Sequence, residues 1–90
     1  MALAILQYRI MPKSTETNLK EVESSLVDLC KKLSAILNKV ETQEIAFGLK
    51  ALVATIGWKE EKSQDELEDA IKGIKGVSSL ELLDYRRAIG

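Results

Sequence analysis

A chain of 90 residues, 46% hydrophobic and 30% charged, has the size and composition of one globular domain spanning residues 1–90, with no room for a second core. A formal net charge of −1 and a pI near 5.5 exclude the whole-chain basic footprint of a nucleic-acid binder. With no His and a single Cys, a Ser-His or Cys-His nucleophile is impossible, an internal disulfide cannot form and a zinc centre is not expected. Nothing calls for an oxidising compartment, and the opening MALAILQYRIM is too short and too polar for a membrane span and lacks an export signal's basic start and cleavage site. The expected location is the cytoplasm, with no membrane partner.

Residues 2–11 alternate, with Ala4, Leu6, Tyr8 and Ile10 in one set and Leu3, Ile5, Gln7 and Arg9 in the other. This is a first strand, ended by Pro12, which has no N–H to give a ladder. After a polar loop, Asn18 followed by Glu21 caps a helix. Leu19, Val22, Leu26, Leu29 and Leu33 recur at spacings of three and four, a buried stripe of about four turns. Cys30 reads as a small core hydrophobe beside the stripe, and Lys31 and Lys32 suit the helix end.

Residues 36–44 scatter Ile36, Leu37 and Val40 among charges, as a protected sheet edge does. Ala46-Phe47-Gly48 then forms a corner leading into residues 49–58, where Leu52, Ala54, Ile56 and Trp58 point one way and Ala51, Val53 and Thr55 the other. Both sets are largely apolar, so this strand is interior. Residues 59–62, KEEK, read as a solvated turn. Ser63 to Glu66 is a capping box opening a second helix with Leu67, Ala70, Ile71 and Ile74 buried and Gly76 as its C-terminal cap. Residues 77–89 form the last strand, with Leu80 and Leu82 on one side and Leu83 and Tyr85 on the other.

The order β-α-β-β-α-β is the ferredoxin-like arrangement, an α+β sandwich. Right-handed crossovers place a four-stranded antiparallel sheet in the order 4-1-3-2 with both helices on one face. The charged strand then falls on an edge and the apolar strands in the middle.

No catalytic constellation emerges. The acid pairs Glu60-Glu61, Asp65-Glu66 and Glu68-Asp69 lie in a loop or on an outward helical face, where nothing desolvates them. No glycine-rich phosphate loop is present, so the chain is not expected to cradle nucleotide phosphates itself. RNA recognition on this topology stacks bases on aromatics of the central strands, and none of Leu3, Ile5, Gln7, Arg9, Ala51, Val53 or Thr55 is aromatic. Direct nucleic-acid binding is therefore not expected. Leu3, Ile5, Ala51, Val53 and Leu83 would make an apolar patch on the uncovered sheet face, suited to a homo-oligomer or simply half dry. Phe47 beside Gly48 is either a core plug or a contact. Tyr85-Arg86-Arg87 ends the last strand with two guanidiniums, either solvated or suited to a partner's carboxylates and phosphates.

The segments IMPKS at residues 10–14, QEIAFGLKAL at 43–52 and IKGVSSLELLDYRRAIG at 74–90 carry a resemblance to the guanine-nucleotide exchange domain family of translation elongation factor 1-beta, in its archaeal form. It covers the whole chain, and IAFGLKAL is its most specific block. The resemblance implies a ferredoxin-like fold without cofactor, metal or covalent chemistry. It implies binding to elongation factor 1-alpha and replacement of GDP by GTP on that GTPase. By the same resemblance Ala46, Phe47, Gly48 and Leu49 would lie against the GTPase's second domain, and Tyr85, Arg86 and Arg87 would reach toward its nucleotide and magnesium. Eukaryotic members place a Lys next to last; here Arg87 is the matching cation, followed by Ala88-Ile89-Gly90. The alternative is a generic ferredoxin-like regulatory or assembly module acting through its open sheet face.

Overall fold

The computed structural model describes residues 3–46 and 48–88, without the side chains of Ala46 and Ala88. Its elements are β1 (Leu3–Pro12), α1 (Leu19–Lys32), β2 (Ile36–Ala46), β3 (Leu49–Lys59), α2 (Gln64–Lys72) and β4 (Val77–Ala88). All pairings are antiparallel and the sheet order is β2-β3-β1-β4, the expected 4-1-3-2 read from its other edge. The fold is a ferredoxin-like α+β sandwich.

The two alternating sets meet as expected. Ala4, Leu6, Tyr8 and Ile10 of β1 stand in register with Trp58, Ile56, Ala54 and Leu52 of β3, all of them buried. Val22, Leu26 and Cys30 of α1 and Leu67 and Ile71 of α2 pack onto them from one side. Cys30 is thus part of the stripe rather than beside it, and burial pushes its thiol pKa up. Asn18 caps α1, its side chain accepting from the N–H groups of Lys20 and Glu21 at 3.0 and 3.4 Å.

Several local expectations are corrected. Ser63 has an extended N-cap backbone but makes no side-chain cap bond, so the capping box does not form. Asp65 and Glu66 in the first turn still favour the helix's positive end. Gly73, not Gly76, caps α2, its N–H donating to the Asp69 and Ala70 carbonyls. Gly76 has φ +94° and turns the chain toward β4; a Cβ there would come within 3.0 Å of Thr17 Cγ2.

The KEEK turn is not merely solvated. Lys62 Nζ donates to the Leu33 carbonyl at 2.8 Å, putting a cation on the C-cap of α1, and lies 5.2 Å from the Trp58 ring centroid. Glu68, expected to face outward, turns toward the core edge and accepts from the Tyr8 hydroxyl at 2.8 Å and from Gln64 Nε2 at 2.7 Å. Burial, then the adjacent Glu68 carboxylate, pushes the Tyr8 phenol far above its ordinary 10. The unfolded phenol ionises near 10 while the folded one stays neutral. Stability linked to Tyr8 is therefore intact below pH 10 and falls as pH rises above it, by up to about 1.4 kcal/mol per pH unit. Urea titrations between roughly pH 9 and pH 11 should show a flatter decline for Tyr8→Phe than for the parent. Parallel declines would mean that the phenol ionises freely in the folded state.

In β4 the face assignment changes. Asp84 pairs with Gln7 but Leu82 pairs with Tyr8, so Leu83 is an extra residue, a bulge. It shifts the alternation and puts Tyr85 on the same face as Leu80 and Leu82. On the uncovered sheet face, Arg9 donates through Nε to Gln43 of β2 at 3.0 Å and through Nη1 to Glu81 of β4 at 3.3 Å. This polar rung crosses β3 where Val53 and Ala51 are in register with Arg9 and Gln43. Ala51 is 0% and Val53 9% exposed, although no helix covers them. The apolar patch expected from Leu3, Ile5, Ala51, Val53 and Leu83 is thereby interrupted.

Candidate partner-binding site

The β2–β3 corner is built by chain reversal. Ala46 pairs with Leu49, and Gly48 between them has φ +81°. A Cβ on Gly48 would meet nothing within 4 Å, so the backbone conformation, not space, requires glycine there. Phe47, the aromatic expected at this corner, lies outside the described residues. Leu49 is half-buried at the start of β3. A register shift between Glu44 and Ala46 leaves Ile45 out of the ladder and 39% exposed. Ile45 was not singled out from sequence; the bulge that releases it has no local signature.

The other candidate group ends β4. Tyr85, Arg86 and Arg87 stand opposite Leu6, Ile5 and Ala4. Directly opposed antiparallel residues share a face. Tyr85, 49% exposed, and Arg87 therefore point to the helix side, and Arg86 points to the uncovered side. Arg86 Nε bonds Asp84 Oδ2 at 2.9 Å on its own strand. Arg87 Nε donates to Glu60 Oε1 at 2.8 Å, reaching the loop after β3. The Glu60 hydrogen bond and charge raise the Arg87 pKa further, so its guanidinium is held protonated. Glu60 entered the sequence reading only as a loop acid; its neighbour is brought in by the sheet.

The two groups are not brought together. Trp58, at the end of β3, stands in the row of Ala4 and Arg87, whereas Leu49 begins β3. Nine residues of strand separate the corner from the cationic end, about 30 Å at ~3.3 Å per residue. The whole body measures 41 × 22 × 18 Å. The candidate residues are thus the two tips of a rod rather than one pocket. Such an arrangement can bridge two separated surfaces of a larger partner. Among the described residues there is no group of three or more Cys, Asp or Glu able to hold a metal ion, and no helix long and apolar enough to cross a membrane.

Residues 5–87 match the family described as the EF-1 guanine nucleotide exchange domain. Relatives named Elongation factor 1-beta include those of Pyrobaculum aerophilum, 36% identical over 85 residues, and Sulfolobus acidocaldarius, 39% identical over 83. The first alignment covers 91% of this chain and 90% of the relative, the second 88% and 89%. The Elongation factor 1-beta of Methanothermobacter thermautotrophicus is 30% identical over 88 residues, covering 97% of this chain and 98% of the relative. Among solved structures, the C-terminal domain of the MgtC protein from Mycobacterium tuberculosis aligns with a TM-score of 0.69 at 16% identity, covering 96% of this chain and 88% of that one. The ACT domain from GTP pyrophosphokinase of Chlorobium tepidum aligns with a TM-score of 0.62, also at 16% identity, covering 88% and 96%. At that identity the two structures speak to the fold alone.

Proposed function

The chain belongs to the EF-1 guanine nucleotide exchange domain family, and from that membership we propose that it binds elongation factor 1-alpha and promotes replacement of GDP by GTP. The observation that carries this reading furthest is the placement of the glycine-hinged corner and the arginine end at opposite tips of a 41 Å body. A rod of that length engages two parts of a GTPase at once. Ala46, Phe47, Gly48 and Leu49 form the apolar grip. Tyr85, Arg86 and Arg87 form the end that approaches bound nucleotide and magnesium.

The mechanism is differential binding, with no covalent chemistry. An exchange factor that prefers the nucleotide-free GTPase lowers nucleotide affinity by the same coupling free energy, because linkage is reciprocal. A coupling of about 2.7 kcal/mol weakens GDP about a hundredfold. A guanidinium brought close to the nucleotide site opposes magnesium retention by like-charge repulsion.

The direct test is release of a fluorescent GDP analogue from elongation factor 1-alpha with and without this protein. Acceleration is expected; release at the spontaneous rate across a full concentration series would refute the proposal. In the same assay Phe47→Ala should raise the concentration needed for half-maximal stimulation by about tenfold, as loss of an apolar anchor does. Its melting temperature should stay close to the parent's. A collapse of thermal stability instead would make Phe47 a core residue.

A further inference from the structure

The Arg87–Glu60 pair is asymmetric. The Arg87 side chain is 73% exposed, but that of Glu60 is only 18% exposed. Glu60 therefore belongs to the body, and the arginine is the group being held. The contact uses Nε, the inner edge of the guanidinium, at 2.8 Å. Among the described residues the Nη pair has no hydrogen-bond acceptor. Arg86, one residue earlier, is held differently. Its partner Asp84 lies two residues away on the same strand and is itself 44% exposed. The two arginines thus differ in how firmly they are anchored and in which face they present.

We propose that Glu60 is a positioning residue for exchange: it grips Arg87 by Nε and presents the outer guanidinium edge, ready-aimed, to carboxylate or phosphate oxygens of the GTPase. This inference rests on the exchange reading above. The physical reason is preorganisation. A free arginine samples many rotamers, and ordering it on binding has an entropic cost. The planar fork can spend its inner edge on Glu60 and keep its outer edge for a second, bidentate partner. The register supplies the reach. Arg87 is opposite Ala4, whose small side chain separates it from Trp58, and Glu60 follows Trp58 by two residues. A lysine at position 87 could not divide its donors in this way, having one point charge and no inner edge.

The test is a set of substitutions assayed by release of a fluorescent GDP analogue from elongation factor 1-alpha over a range of exchange-factor concentrations. Glu60→Met keeps side-chain volume and loses the acceptor; Glu60→Gln keeps an acceptor oxygen for Nε. Glu60→Met should lower the apparent second-order rate of stimulated release about fivefold, and Glu60→Gln should restore most of it. In an Arg87→Ala background, Glu60→Met should have no further effect, since the glutamate acts through the arginine. An equal loss in both backgrounds would overturn the proposal, as would faster exchange in Glu60→Met, which would make Glu60 a mask. A parent protein that accelerates release, with Glu60→Met indistinguishable from it, would reject the positioning role alone. A parent that fails to accelerate release would reject the exchange reading itself. Thermal melts of each variant, at the assay temperature and above, confirm that the comparison is between folded proteins.

Discussion

Replacing Arg87 with alanine is expected to slow stimulated GDP release by about tenfold or more while leaving the melting transition where it is. The two halves of that expectation have separate causes. The side chain leaves the end of the edge strand β4 and is 73% exposed, so its removal opens no cavity in the core. Its ion pair lies at the surface, where solvent and salt screen the attraction. The functional half follows from charge placement. On the exchange reading, Arg87 is a cation on the helix side at the nucleotide-facing tip, held there by a carboxylate of the body and with its outer edge exposed. Arg86→Ala provides the internal control, because Arg86 points to the uncovered face and should matter less. Stopped-flow release and thermal melts on the same preparations separate the two halves. Unchanged stimulation by Arg87→Ala would remove this residue from the mechanism.

Leu26→Ala should do the reverse, lowering the melting temperature by roughly 15 °C while leaving exchange at low temperature near the parental rate. Leu26 is 0% exposed and belongs to the cluster that joins α1 to the sheet. Truncating a fully buried leucine removes transfer free energy and leaves a cavity, together about 3 kcal/mol. A domain of this size loses about 4–8 °C per kcal/mol, which yields the shift. Neither tip contains Leu26, so a protein still folded at the assay temperature keeps both contact groups. A shift below about 5 °C would mean that the seam collapses around the smaller side chain. A large loss of exchange well below the melting transition would mean that α1 communicates with a tip.

The two experiments bear on different layers of the molecule, and those layers were legible from sequence to different degrees. The alternation of Ala4, Leu6, Tyr8 and Ile10, and of Leu52, Ala54, Ile56 and Trp58, is a local pattern, and both sets are core residues in the fold. The leucine spacing of α1 and the Asn18 cap are local in the same sense, as is the charged edge strand β2. Gly48, placed at the corner from its residue type, has the left-handed backbone that its type allows. Capping was less reliable where only residue types suggested it. Ser63 occupies its position without using its hydroxyl, because a motif permits a hydrogen bond without enforcing it.

By itself the amino-acid sequence determined the element order, the sheet order and the core rows of the two central strands, because periodicity is a property that neighbouring residues share. Only the tertiary structure decided which distant side chains meet. Tyr8 and Glu68 are 60 positions apart, Lys62 and Leu33 are 29, and Arg87 and Glu60 are 27. Each meeting depends on strand register, and one unpaired residue such as Leu83 or Ile45 resets which face every following side chain occupies. A bulge is chosen by the balance of packing on both sides of a sheet, a balance that no short window of sequence contains. That is why the separation of the two tips, and the glutamate beneath the arginine, became visible only once the strands were laid side by side.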